Sequence, residues 1–269
     1  MQSRATAEIG DDGPWGHLGR ERTHLLEEPR RSRVSPVLGA FLVDPHRLAL
    51  HVRIMTPVHG EVRTVDDVAS AFADVVVEAA PSSIALSGGE TAKDAYAALA
   101  TRDLDWSGID VWFGDERFVP VTDPDSNEGM ARAVLLDRVG PGAIHSMASA
   151  GDTPDAAAVA YDALVAAAPP MDLVHLGLGP DGHTASLFPG SAALDVTDRL
   201  VVTNGDAAHP HPRLTFTYPA LQRSSLVVFA VAGEDKRDAF ARIRAGDDLP
   251  AARVTAERVL WLVDPAAAG

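Results

Sequence analysis

The sequence predicts an α/β fold with a mainly parallel sheet, on three observations. From residue 55 onward, apolar runs of strand length alternate with helix-length amphipathic stretches, the pattern of repeated strand–helix–strand units. Several of these runs end in glycine turns, at Gly88-Gly89, at Gly177 and the glycines after it, and at Gly233. Around residues 199–217, β-type runs stand too close together for crossover helices, which implies a small antiparallel addition.

Each element has a local reason. "HGEVRTV" reads as a strand, and "VDDVASAFADVVVEAA" as a helix opened by the acidic pair Asp66-Asp67. "SSIALSGG" is a strand ending in a glycine turn, and "TAKDAYAALA" the helix after it. "IDVWFGDERFVP" reads as a buried strand followed by a charged loop. "DSNEGMARAVLLDRVG" is a helix with Ser126 or Asn127 as its cap and Gly140 at its end. "AIHSMA" is a short strand, "DTPDAAAVAYDALVAAA" an Ala-rich helix, and "MDLVHLGLG" the next strand. "RLVVTN", "PRLTFT" and "SLVVFAVAG" follow as β runs, then the helix "EDKRDAFARIRAG" and the final strand "RVLWLVD". No linker or internal repeat interrupts residues 55–269, which read as one domain.

Residues 1–54 read differently. They have no helical or strand period and many turn formers, so they are expected to be a disordered N-terminal extension, or to lie upstream of a true start at Met55. "RRSRVSPVLGAFLVDPHR" faintly resembles a twin-arginine export signal, but its apolar piece, 37–43, is short for a signal core.

Composition narrows the function. The apolar share of 46% suits a packed core, and no run approaches a membrane span. The net charge of −15 argues against a nucleic-acid partner, and an anionic ligand would need cations of its own. The absence of cysteine removes disulfides, zinc–thiolate sites and thiol nucleophiles, and suits a cytoplasmic protein. Lys93 and Lys236 are the only lysines.

In parallel sheets, ligands bind beyond the carboxyl ends of the strands. Three strands carry unusual chemistry there. Ser87, Gly88 and Gly89 open a helix, either as a plain turn or as an anion cradle of backbone N–H groups. Asp115, Glu116 and Arg117 form either a solvated loop with an ion pair or a site where Arg117 faces an oxyanion and Asp115 orients it or a catalytic group. "GPDGHTASLFPG" holds His183 among residues that mostly shape backbone, where a near-neutral imidazole can take a proton from water and nearby N–H groups can meet developing charge. Gly179 and Gly182 shape that turn, and Asp181 serves either the turn or the imidazole. His175, inside the preceding strand, reads as structural, and Ser186 lacks the G-x-S-x-G setting of a nucleophile. His209 and His211 lack the partners of a metal site. Arg213 follows them, and Lys236 stands in the first turn of a helix, against the helix dipole, where a phosphate would justify it.

Taken together, "LSGGET", "FGDERFVP", "DSNEGMARAVLL", "GLGPDGHTASLFPGS", "PRLTFTYPAL" and "VAGEDK" resemble the 6-phosphogluconolactonase family, in the same order and at similar spacing. The resemblance implies a modified Rossmann-like three-layer fold with helices on both faces of the sheet. It implies hydrolysis of 6-phospho-D-glucono-1,5-lactone to 6-phosphogluconate in the oxidative pentose phosphate pathway, without metal or organic cofactor. By this resemblance His183 is the general base, Arg117 a substrate contact with Asp115 beside it, and Ser87, Gly88, Gly89, Arg213 and Lys236 are substrate or phosphate ligands. Gly179, Asp181 and Gly182 belong to the same motif. The expected partner is a phosphorylated sugar lactone, the expected assembly a monomer or weak homodimer, and the expected location cytoplasmic. The chain departs from the family in Glu90 and Ala92 of "SGGETA", in His209 and His211, and in residues 1–54. The competing readings are a glucosamine-6-phosphate deaminase or another sugar-phosphate isomerase on the same fold, and a non-catalytic sugar-phosphate sensor. "SLFPG" and "DER" favour the lactonase over the first, and the lack of a helix-turn-helix counts against the second.

Overall fold

A computed structural model describes residues 58–205 and 209–269, and the expectations for residues 1–54 and for a start at Met55 lie outside them. Strand β1 (Glu61–Thr64) leads into helix α1 (Val68–Ala79), where the Asp67 carboxylate accepts the Ser70 N–H at 3.0 Å and caps the helix. Strand β2 (Ser83–Leu86), helix α2 (Glu90–Leu99), strand β3 (Asp110–Phe113) and strand β4 (Asp115–Arg117) follow. Next come helix α3 (Asn127–Ala131), a π-helical stretch Arg132–Leu136, helix α4 (Asp137–Val139) and strand β5 (Ala143–Ile144). Helix α5 (Pro154–Ala167) and strand β6 (Leu173–Leu176) complete the first half. The second half is β7 (Val201–Asn204), β8 (Arg213–Phe216), α6 (Tyr218–Gln222), β9 (Leu226–Val231), α7 (Arg237–Arg244), β10 (Arg258–Val263) and α8 (Pro265–Ala268).

Seven strands form one sheet in the order β1-β10-β9-β6-β2-β3-β5, with every neighbouring pair parallel. Strands β4, β8 and β7 form a separate antiparallel sheet. This is the α/β class that the alternating runs predict, including the antiparallel addition near residues 199–217. From β2 the chain winds outward to β3 and β5, then returns to β6 and winds the other way to β9 and β10. The switch point therefore lies between β2 and β6, where a crevice opens beyond the strand ends.

Apolar packing fixes that crevice in place. All of β9 is buried, and Phe229 stacks on Trp261 of β10 at 3.7 Å, with Phe240 of α7 beside it. Helices α1 and α2 pack on each other over the sheet, with Phe72 and Tyr96 fully buried between them and β6.

Three expectations change. Asp115, Glu116 and Arg117 are a strand rather than a charged loop. Pairing with β8 draws Glu116 to 1% exposure, and its carboxylate accepts the N–H groups of Arg117, Asn127 and Glu128 and the Ser126 hydroxyl, so a buried charge is fully hydrogen-bonded. The helix after Ser126 is interrupted by the π-helical stretch, in which the Asp137 N–H reaches back to the Arg132 carbonyl and Leu135 and Leu136 are both buried. Lys236 ends a 3-10 turn, Glu234–Lys236, instead of standing inside the first turn of α7.

Candidate active site

A cleft of about 270 Å³ opens at the switch point. Ser87, Gly88 and Gly89 after β2, Gly179 and His183 after β6, Asp115 and Arg117 of β4, Arg213 of β8 and Lys236 all line it. The fold thus gathers these expected residues from five separate segments. Asp181 and Gly182 are not among the lining residues and act from behind the turn.

His183 is held by its own turn. The Asp181 carboxylate lies 2.6 Å from His183 Nδ1 and also accepts the His183 N–H at 3.1 Å. Both readings of Asp181, turn former and imidazole partner, therefore hold. Burial opposes ionisation of Asp181, but the His183 N–H and imidazole outweigh it and keep the carboxyl below its usual range. A carboxylate at Nδ1 places the ring proton there and leaves Nε2 with its lone pair. Glycine at 179 is required by contact, since a Cβ there would sit 2.2 Å from Nδ1. Gly182 has φ +89°, and a Cβ would meet Leu249. Ala185 also has positive φ, +47°, a local strain at the cleft wall.

Three N–H groups of this turn are taken up within it. Gly179 donates to the His183 carbonyl, Gly182 to the Gly179 carbonyl and His183 to Asp181. The formal positive charge in the cleft comes from Arg117, Arg213 and Lys236. Arg117 and Arg213 are direct register partners across the β4–β8 pair. Arg213 is 7% exposed, and neither Nε has a hydrogen-bond partner among the described residues. Burial, and then the nearby Arg117 charge, lower the Arg213 pKa. Like charges directly opposite each other destabilise a sheet. Arg117 is steadied by the Asp125 carbonyl, which accepts from Nη1, and Lys236 pairs with Asp235 at 2.7 Å. Helix α2 begins at this cleft with Gly89 as its cap, a residue with no side chain to bond its first N–H groups.

Asp115 orients neither Arg117 nor the imidazole through a hydrogen bond. Its carboxylate accepts the Ser186 hydroxyl at 2.8 Å, and its carbonyl accepts Asn127 Nδ2 at 2.9 Å. Ser186 is thereby tied down as a strut rather than presented as a nucleophile. Asn127 and Phe188 also line the cleft, and sequence reasoning missed both. Asn127 competed with Ser126 as the helix cap. Ser126 takes that role by accepting the Gly129 N–H, which releases Asn127 toward Asp115. His209 stacks on Phe188 at 4.1 Å and lines the cleft, whereas His211 pairs with Asp125 at 3.0 Å. Glu90 turns to Lys93 at 3.6 Å, largely exposed. Among the described residues no group of three or more His, Cys, Asp or Glu side chains could hold a metal ion, and no helix is long and apolar enough to cross a membrane.

Comparison with known proteins follows the same outline. The family model for glucosamine-6-phosphate isomerases/6-phosphogluconolactonase matches residues 61–261. A 6-phosphogluconolactonase of Nostoc sp. is 44% identical over 200 residues, covering 68% of this chain and 82% of the relative. One from Streptomyces coelicolor is 39% identical, covering 70% and 81%. The solved structure of 6-phosphogluconolactonase from Trypanosoma brucei superposes with a TM-score of 0.69 at 28% identity, covering 78% of this chain and 97% of that one. A monomeric glucosamine-6-phosphate deaminase shares the fold, with a TM-score of 0.66 at 20% identity.

Proposed function

The chain belongs to the glucosamine-6-phosphate isomerase/6-phosphogluconolactonase family, and from that premise we propose that it hydrolyses 6-phospho-D-glucono-1,5-lactone to 6-phosphogluconate in the oxidative pentose phosphate pathway. The observation that carries this reading is the Arg117–Arg213 pair. The two arginines stand directly opposite each other, and although Asp115, Asp125 and Glu116 offset part of their charge, the pair still lines the cleft as a grip for an anion. The phosphate of the lactone supplies that anion, with Lys236 and the loop of Ser87, Gly88 and Gly89 as further ligands.

His183 then faces the lactone ring. Its Nε2 takes a proton from water as the water oxygen bonds to the lactone carbonyl carbon. The tetrahedral intermediate collapses by breaking the bond from that carbon to the ring oxygen, and the imidazolium returns the proton to the departing oxygen. Asp181 keeps the ring in the required tautomer and steadies its charge. Asp115 acts through Ser186 and Asn127, fixing the strand and helix start beside the base, while Gly179 and Gly182 allow the turn that holds it.

The test is lactone hydrolysis, with substrate generated in situ from glucose 6-phosphate and the spontaneous rate subtracted, run beside ammonia release from glucosamine 6-phosphate. Acceleration of the first alone is expected. Ammonia release would move the protein to the deaminase reaction. Tight 6-phosphogluconate binding with neither activity would make it a sensor.

A further inference from the structure

His175 takes no part in the reaction above, yet it is not an ordinary core residue. It is 1% exposed, in β6, with the Phe72 ring of α1 tilted against it at 4.3 Å and Tyr96 of α2 edge-on at 5.4 Å. Its Nδ1 lies 2.7 Å from the Tyr96 hydroxyl. That hydroxyl accepts the Ser87 N–H at 2.7 Å and lies 3.1 Å from the Ser87 carbonyl. Tyr96 therefore couples the imidazole to the first residue of the cleft loop.

The hydroxyl has one proton and two acceptors for it. If it donates to Nδ1, the ring hydrogen sits on Nε2; if it donates to the Ser87 carbonyl, Nδ1–H donates to it and Nε2 is a bare acceptor. In both arrangements Nε2 is left over, and it is buried without a hydrogen-bond partner among the described residues. Such an atom is costly unless something else fills the role. Burial pushes the imidazole down to about 3, so at neutral pH it offers one uncharged hydrogen bond and no charge. The same residue is among those lining the cleft, together with Ala92, Gly177 and Ala230.

We propose that His175 Nε2 reads the ligand at the base of the cleft, by a hydrogen bond to an uncharged hydroxyl of the bound sugar phosphate while the arginines hold its phosphate. This rests on the reading of the cleft as a site for a phosphorylated sugar acid or lactone. It assigns the two ends of the ligand to different chemistry, a charged grip and a neutral one.

Calorimetry on wild type and His175→Phe, with 6-phosphogluconate and with inorganic phosphate, separates these ends. The variant should bind 6-phosphogluconate about tenfold more weakly, the worth of one such bond, and phosphate as before. KM for the lactone should rise with a smaller change in kcat. Unchanged 6-phosphogluconate affinity overturns the proposal, and so does equal weakening of both ligands, which would mean that His175 only supports the loop. If the variant fails to fold, nitrogen NMR of the wild-type imidazole decides. An Nε2 resonance that moves with 6-phosphogluconate but not with phosphate supports the proposal, and one that stays put with both overturns it. Wild type that neither binds 6-phosphogluconate nor hydrolyses the lactone removes the function itself and this inference with it. An active wild type with an insensitive variant removes only the inference.

Discussion

The parallel sheet and the small antiparallel sheet meet at one cleft and contribute different things to it. At β2 and β6 the strands stop and the chain turns, so the parallel sheet delivers loops, glycines and a histidine held by a carboxylate two residues before it. The antiparallel sheet delivers charge, because its register sets Arg117 against Arg213 although they are far apart in sequence. The first contribution is local and survives wherever the turn forms. The second exists only when two distant strands pair, and it sets two like charges opposite each other, which nearby carboxylates offset in part.

Four experiments break or sharpen this contrast, the largest effect first. His183→Ala should lower kcat/KM for the lactone by about 10²–10⁴, the usual contribution of a general base, with 6-phosphogluconate affinity kept within a few-fold. A near-wild-type rate would take the imidazole out of the chemistry. Arg117→Met and Arg213→Met should each raise KM by roughly 100-fold, as befits a lost charge-assisted contact. Because both grip one anion, the double variant should fall short of the product of the two, and strict additivity in the cycle would show that they bind separate groups.

Gly179→Ala tests the local half. Its Cβ would meet Nδ1, so the ring must turn away, and kcat should drop about 100-fold while thermal stability changes far less. A variant with full activity would mean that the imidazole needs no such exact seat. The smallest effect is on stability. Folded His175 has a pKa of about 3, below the unfolded value near 6.5, so as pH falls the unfolded chain takes up the proton first. The stability carried by neutral His175 is complete above pH 6.5 and is lost as pH falls toward 3. Its ring faces Phe72 and Tyr96, neither of which titrates in that window. Urea titrations of wild type should therefore lose about 2 kcal/mol more than His175→Phe between pH 6.5 and 5. Parallel pH profiles would show that the buried ring does not resist protonation.

Much of this was legible in the chain because it is written locally. Apolar periodicity marked nearly every strand, Asp67, Ser126 and Gly140 marked helix ends, and "GPDGH" marked His183 with its partner Asp181, since an i to i+2 contact needs no tertiary fold. Short elements such as α6 and α8 escaped, being too brief to show a period. "DER" was misread because three charged residues look like solvent-facing loop until Ser126 and the backbone of residues 117, 127 and 128 surround Glu116.

Sequence alone determined the parallel α/β class, the order of the motifs and the pairing of His183 with Asp181, because each depends on spacing within one segment. It was folding that set Arg117 beside Arg213, bound Asp115 to Ser186 rather than to the imidazole, and left one nitrogen of His175 without a partner among the described residues. Those depend on register between strands and on which polar groups find partners after burial, and a buried hydrogen bond can be counted only once its neighbours are in place.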